Sequence, residues 1–308
     1  MRHLPALTAM AGAGAMLSGC VVAVAPIAPA TTVAGGGAQV AAATVGSVPP
    51  GMQFLYGSGE AAALSLQAYQ GLIDTIVARS GAANLGRVRQ SVVLAPGSTL
   101  ERPVFMPCGA RPLAVVFDVD ETALLNLGYE ADDSRRGTGF DAQRWNRWER
   151  TGAGAVAVAP GMIEAKRVAA ASKVTFVFNS NRSAANAAQA EALLNGVGLG
   201  PVRHGETLWL QGDEGAGSGK DRRRWAIAGR YCVIAMVGDQ LGDFSDLFNA
   251  GATPPQRRAL VAGAGIRTKW GHGWFILPNP VYGTALKGGM DEVFPADRRW
   301  TDPGAGAP

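Results

Sequence analysis

The sequence offers little for soft-metal or haem chemistry. Among its 308 residues are three cysteines and three histidines. Cys20, Cys108 and Cys232 have neither the close spacing of a thiolate metal site nor a Cys-x-x-Cys-His haem attachment. Charge is also scarce, at 17% of residues with a net +4, which leaves no strong field for a polyanion. The one basic run, Arg222-Arg223-Arg224, falls in an expected helix and reads as a solvated face, so nucleic acid is excluded as a partner. From Val21 to Gly51 there is no charge and no hydrophobic periodicity, which excludes an amphipathic element there. Beyond the first twenty residues no segment reads as membrane-spanning.

The start of the chain is more informative. Arg2 and His3 precede an apolar stretch from Leu4 to Leu17, and Leu17-Ser18-Gly19-Cys20 follows. That layout is a secretory signal, too short for a permanent membrane helix. Leu-Ser-Gly-Cys resembles the lipobox of bacterial lipoproteins, which implies acylation of Cys20 and a membrane attachment through lipid alone; an ordinary cleaved signal is the other reading. Val21, which is not Asp, favours the outer membrane of a bacterial envelope.

The body of the chain alternates short apolar runs with helical patterns. Leu64, Ala68, Leu72, Ile73, Ile76 and Val77 give helical spacing within Met52–Ser80. Strands are expected at Leu113–Phe117, Lys173–Phe178, Thr207–Leu210, Tyr231–Val237 and Gly273–Leu277. Helices are expected at Met162–Ala171, Ser183–Leu194 and Lys220–Ala228. This order implies an α/β fold with a Rossmann-like parallel sheet, whose ligands bind beyond the carboxyl ends of the strands.

Those ends carry Asp118-Val-Asp120-Glu-Thr, Asn179-Ser180-Asn181-Arg182, Lys220, and Gly238-Asp239-Gln-Leu-Gly-Asp243. Carboxylates gathered at one rim repel unless a hard cation joins them, and Mg²⁺ prefers oxygen ligands. Cation, hydroxyl and ammonium together suit the oxygens of a transferring phosphoryl group. A carboxylate can act as nucleophile, with a second two residues on as acid and base.

Taken in order and spacing, these segments resemble the four motifs of haloacid dehalogenase superfamily phosphatases. With the lipobox, the Asp-Val-Asp-Glu-Thr variant and Leu277-Pro-Asn-Pro-Val-Tyr-Gly283, they resemble class C acid phosphatases, bacterial lipoproteins acting on nucleoside monophosphates and related phosphomonoesters. The resemblance covers about Met52 to Met290. It implies a haloacid dehalogenase-like core with a small helical cap, and Mg²⁺ as cofactor. It matches Asp118 to the nucleophile and a metal ligand, and Asp120 to the acid/base with its main-chain carbonyl on the metal. Asp239 matches the remaining protein ligand and Asp243 a supporting carboxylate. Ser180 and Lys220 match the phosphate-binding pair, with Asn181 beside them. Leu124 and Tyr282 match contacts to the leaving group. Gln240 stands where Asn is expected, and Asn179 where an apolar residue is usual.

The expected organisation is a signal peptide over 1–20, a tether over 21–51, a phosphatase domain over 52–300 and a tail over 301–308. A cap is expected at about 126–160. Its Tyr129, Phe140, Trp145 and Trp148 either face a base or hold the cap together, the second being the more economical reading for Trp145 and Trp148; Asp132 and Asp133 are assigned to solvent. The partners expected are small phosphomonoesters and the membrane, with a homodimer admissible. Competing motifs fail. Gly215-Ala-Gly-Ser-Gly-Lys220 has Glu214 and Asp221 where a phosphate loop needs Gly and Ser or Thr, and Arg203-His204-Gly205 precedes a strand instead of ending one. A non-catalytic binding lipoprotein or transfer to an acceptor alcohol are the rival functions.

An oxidising compartment favours a Cys108–Cys232 disulfide, but strand register argues against it. With Asp118 and Asp239 level, Cys232 lies beside Arg111 and Cys108 about 10 Å further along. A disulfide needs Cα atoms within about 7 Å, so the bond is not expected unless the chain before Arg111 turns back.

Overall fold

The structure is a computed structural model; it describes residues 47–302 apart from 85, 88 and 89, together with residue 304. The signal segment, Cys20, most of the tether and most of the tail therefore lie outside the described residues. Helix α1 spans Pro50–Gly57 and α2 spans Gly59–Asn84, in place of one helix from Met52. The break falls at Ser58, whose extended backbone closes α1. Its hydroxyl donates to the Phe54 carbonyl at 2.6 Å and accepts from Ala61 N at 3.1 Å, serving both helix ends.

Two short strands then form a hairpin that the sequence reading did not contain, β1 (Gln90–Leu94) and β2 (Phe105–Pro107). After it come β3 (Leu113–Phe117), β4 (Leu124–Leu125), α3 (Leu127–Arg136), α4 (Ala142–Thr151) and β5 (Ala157–Val158). Next are α5 (Met162–Ala171), β6 (Thr175–Ser183), α6 (Ala187–Gly196), β7 (Leu208–Glu214) and α7 (Asp221–Arg230). The chain closes with β8 (Cys232–Gly238), α8 (Pro254–Ala262), β9 (Trp274–Ile276) and α9 (Met290–Val293).

The expected parallel sheet is present, in the order β7-β6-β3-β8-β9, with every neighbouring pair parallel. Alternate side chains of each strand feed two separate cores. Val115 and Phe117 of β3, Phe176 and Phe178 of β6 and Phe275 of β9 pack with Leu72 and Ile76 of α2, Met162 of α5 and Leu194 of α6. Ala114, Val116, Val177, Met236 and Trp274 pack on the other face with Val92–Leu94 of β1 and Ile227 of α7. Both faces of β3 and β8 are covered, which explains why these strands read as unbroken apolar runs. Each fully buried Phe or Leu contributes about 1.5–3 kcal/mol, so the sheet is a stiff platform for the groups at its ends.

The disulfide expectation is overturned, since Cys108 is bonded to Cys232 with Cα atoms 4.6 Å apart. The strand register works against the bond, and the turn before Arg111 makes it. At its carboxyl end β3 pairs Phe117 with Val237, so Asp118 is level with Gly238, one residue earlier than assumed. A bulge between Ala114 and Val115 adds a residue to β8, and Cys232 pairs with Leu113 instead of Arg111. Both shifts carry Cys232 away from Cys108 along the strand; the bond forms because the chain before Arg111 turns back. Arg111 N donates to the Cys108 carbonyl at 3.4 Å, and Gly109 takes the left-handed φ of +57° that a side chain resists.

Helices α3 and α4 lie between β4 and β5 and form a small cap. Its entry and exit pair antiparallel, Leu124 with Val158 and Leu125 with Ala157, so both ends are pinned to the core. The aromatic residues hold it together, with Tyr129 edge-on to Trp145 at 4.9 Å and 6.1 Å from Trp148. Asp132 stays at the surface, whereas Asp133 is largely covered. Asp132 pairs with Arg136 at 2.6 Å, and Asp133 accepts from Arg144, which lies over the Tyr129 ring.

Replacing both Cys108 and Cys232 by Ser is expected to cost about 2–4 kcal/mol in chemical denaturation, because the bond closes a long loop at the foot of the central strands; an unchanged midpoint would show the bond to be dispensable. Glu130 of α3 gives a second expectation. Burial and Asp133 raise its carboxyl to about 7. Folding therefore takes up a proton between the ordinary value and 7, and that stability is lost as pH rises through 7. Glu130→Gln should thus gain on the parent protein at pH 8 by on the order of 2 kcal/mol while matching it near pH 4; identical pH slopes would contradict this.

Candidate active site

Because the five strands run parallel, their carboxyl ends share one edge, and the expected groups gather there. Asp118 follows β3 and Asp239 follows β8. Ser180, Asn181 and Arg182 lie in the last turns of β6, which runs on to Ser183 instead of ending at Phe178. Lys220 immediately precedes α7. Its ammonium is buried between two carboxylates, donating to Asp118 Oδ1 and, at 2.7 Å, to Asp243 Oδ1. One carboxylate oxygen from each of Asp118, Asp239 and Asp243 lies within 4.8 Å of the others.

Each carboxylate is aimed by particular neighbours. Asp239 accepts from Thr122 Oγ1 at 3.0 Å, from Asn279 Nδ2 at 2.8 Å and from Gln240 Nε2 at 3.0 Å. Gln240, unusual by the family pattern, thus supplies the same kind of amide donor that Asn would. Asp243 Oδ2 accepts from the Gln240 main-chain N–H at 2.8 Å and leans across Gly238, where a Cβ would sit 2.3 Å from the Asp243 side chain. That close approach is why Gly precedes Asp239. Thr122 and Asn279 were not singled out from the sequence, although both lie inside the quoted motifs.

The electrostatics follow from burial. Desolvation raises the Asp118 carboxyl well above its ordinary range, Lys220 opposes this, and Asp243, Asp239 and Asp120 add to it. Asp239 is pushed up to about 7 by burial and then by Asp243, against the amide bonds of Asn279 and Gln240. Burial alone would lower the Lys220 ammonium, but Asp118 and Asp243 outweigh it and hold it above its usual value. One ammonium among three buried carboxylates leaves net negative charge. A divalent, oxygen-seeking cation fits this donor set, as the surplus charge and the convergent oxygens both require.

Asp120 is held differently. Its Oδ1 accepts from Arg182 Nη2 at 2.6 Å, Arg182 Nε at 3.0 Å and Asn126 Nδ2 at 2.9 Å, while Oδ2 takes only the Nε contact at 3.2 Å. The next residue, Glu121, has a left-handed φ of +54°, a strained backbone held by its buried carboxylate. That carboxylate accepts from Tyr56 OH of α1 at 3.1 Å, from Tyr282 OH, and from Asn126 N at 2.9 Å. Burial and Asp120 raise it to about 7.

Other expected residues are placed as follows. Ser180 is fully buried, and its hydroxyl accepts from Arg182 N at 3.0 Å. Asn181 is exposed, and its Oδ1 accepts from Arg223 at 2.6 Å. Asn179 Nδ2 reaches the Lys220 carbonyl at 3.4 Å, tying β6 to the start of α7. Tyr282 stands at the rim with 36% of its surface exposed. Leu124 is instead wholly buried in the core and presents no surface to a leaving group.

The solvated basic face is also corrected. Arg223 and Arg224 are among the most buried side chains of the protein. Arg223 donates to the Ser180 carbonyl, Asn181 Oδ1 and, at 3.1 Å, the Gly219 carbonyl. Arg224 donates to the Gly242 carbonyl at 2.8 Å and pairs with Asp221 and Asp246. The two guanidiniums lock the segments bearing Ser180, Lys220 and Asp243 to one another. Charge runs on helices are usually solvated, and nothing in the one-dimensional pattern distinguishes this exception.

Comparisons with known proteins bear on the family and the fold. The family described as HAD superfamily, subfamily IIIB (Acid phosphatase) matches residues 87–285. A solved class C acid phosphatase from Bacillus anthracis is similar in fold, with a TM-score of 0.59 and 24% identity over 76% of this chain and 84% of that one. A solved class C acid phosphatase from Bacillus anthracis with tungstate bound gives a TM-score of 0.58 and 22% identity over 79% and 92% of the two chains. The match spans the sheet, the cap and all four motif segments, and the chain belongs to the HAD superfamily subfamily IIIB acid phosphatases, phosphoric monoester hydrolases.

Proposed function

We propose that this acid phosphatase is Mg²⁺-dependent and hydrolyses phosphomonoesters in two steps through a phosphoryl group carried on Asp118. The observation that carries the reading is the burial of Asp118 at the end of the central strand, against the Lys220 ammonium and two residues from Asp120. Asp118, Asp239 and the main-chain carbonyl of Asp120 would hold the cation, with Asp243 supporting through Lys220. Mg²⁺, when bound, supplies positive charge against the clustered carboxylates and the phosphoryl oxygens.

In the first step the Asp118 carboxylate forms a bond to phosphorus, the bond from phosphorus to the leaving oxygen breaks, and that oxygen takes a proton from Asp120. In the second, water attacks phosphorus, Asp120 takes a proton from the water, and the Asp118–phosphorus bond breaks. Lys220 holds the phosphoryl oxygens and neutralises charge that grows in the transition state. Ser180 and Asn181 line the same end of β6 and complete the phosphate-binding set. Tyr282 offers an aromatic surface at the rim, which suits the base of a nucleoside monophosphate. Acylation of Cys20 and attachment to the bacterial envelope, outer membrane included, belong to this proposal on the sequence alone.

The test is hydrolysis of p-nitrophenyl phosphate and a nucleoside monophosphate by the chain from Val21 onward, with Mg²⁺ and with chelator. Turnover should require the metal and fall by roughly 10³-fold or more in Asp118→Asn. Activity surviving that substitution would reject Asp118 as nucleophile, and turnover indifferent to chelator would reject the metal.

A further inference from the structure

Asn126 is fully buried at the join of core and cap, and every polar atom of its side chain is engaged. Its Nδ2 donates to Asp120 Oδ1 at 2.9 Å and to Glu121 Oε2 at 3.1 Å. Its Oδ1 accepts from Arg182 Nη2 at 3.0 Å and from the Trp148 indole N–H at 3.1 Å. The residue therefore touches the reacting segment after β3, the end of β6 and cap helix α4 at once. An amide used at both ends has its orientation fixed, since flipping it would set donor against donor on one side and acceptor against acceptor on the other.

We propose that Asn126 is a positioning residue for proton delivery to the leaving group, and that Trp148 of the cap holds it in place. The proposal rests on the reading of Asp120 as acid. Asp120 Oδ1 carries three donors, two from Arg182 and one from Asn126, whereas Oδ2 carries a single longer contact. A carboxyl group held this way keeps Oδ1 as the accepting oxygen and leaves Oδ2 to carry the proton. Arg182 alone could slide along the carboxylate, because its Nε already contacts both oxygens. Asn126 adds a donor to Oδ1 from a different direction and removes that freedom. Its own position depends on the cap. Without the indole N–H, Oδ1 of Asn126 loses one of its two partners.

A misplaced acid harms only reactions that need one. Nitrophenolate departs without protonation, whereas an alkoxide does not, so the two substrate types separate positioning from general damage. The experiment measures kcat/KM for p-nitrophenyl phosphate and for glycerol phosphate in the Mg²⁺-loaded enzyme, comparing Asn126→Ala, Trp148→Phe and Asp120→Asn. Because kcat/KM reports only the steps up to release of the leaving group, the later water step does not enter. Asn126→Ala should lower the alkyl-to-aryl ratio by about tenfold, part of the ~10²–10⁴-fold that a positioned acid contributes, and Trp148→Phe should lower it in the same direction by less. Should Asn126→Ala not fold, Trp148→Phe carries the same ratio. Equal losses on both substrates, or an unchanged ratio, would overturn the proposal while Asp120→Asn still shows the selective loss. If Asp120→Asn itself shows no selectivity, the acid reading fails and this inference fails with it.

Discussion

Three carboxylates buried around one ammonium set the terms for the rest of this protein. Moving Asp118, Asp239 and Asp243 out of water costs several kcal/mol for each ion, and Lys220 offsets only part of that. The chain tolerates the arrangement because each carboxylate is met by at least one donor. Thr122, Asn279 and Gln240 serve Asp239, and the Gln240 main chain serves Asp243. The residual negative charge is compatible with a divalent cation. In this family of hydrolases the strain of the cluster and its use are the same physical fact.

The surrounding structure can be understood as reinforcement of that cluster. Arg223 and Arg224 project from α7 into the protein and join three of the four motif segments through main-chain carbonyls. The disulfide ties the opposite ends of β3 and β8, the two strands that carry Asp118 and Asp239. The cap enters through Asn126, Arg182 and Glu121, which connect α1, α4, β6 and the segment after β9. Substitutions at these braces should disturb catalysis without touching substrate, because the geometry they hold is needed within a fraction of an ångström.

Much of this was legible in the sequence, and the misses have physical causes. The parallel sheet followed from apolar runs such as Leu113–Phe117, which only double-sided burial explains. The clustering of Asp118, Lys220, Asp239 and Asp243 was legible because strand ends in such sheets point one way, and the structure places these four side chains together. The β1–β2 hairpin and the β4–β5 pair escaped because they are too short for periodicity to show. The disulfide was misjudged because it depends on a tight turn from Cys108 to Arg111, and strand spacing carries no sign of the direction the chain takes before β3. Arg223 and Arg224 were misread because burial of a charge is decided by tertiary partners. Leu124 was placed in the pocket by resemblance, while its pairing with Val158 turns it into the core.

The most direct test of the account is to find the covalent phosphoryl group. Asp120→Asn, given Mg²⁺ and p-nitrophenyl phosphate and then quenched in acid, should accumulate enzyme carrying one phosphoryl group. Peptide mass spectrometry should place it on the peptide containing Asp118. A release of nitrophenolate with no phosphoryl group on the protein, or with the group on another residue, would contradict the assignment of Asp118 on which the mechanism stands.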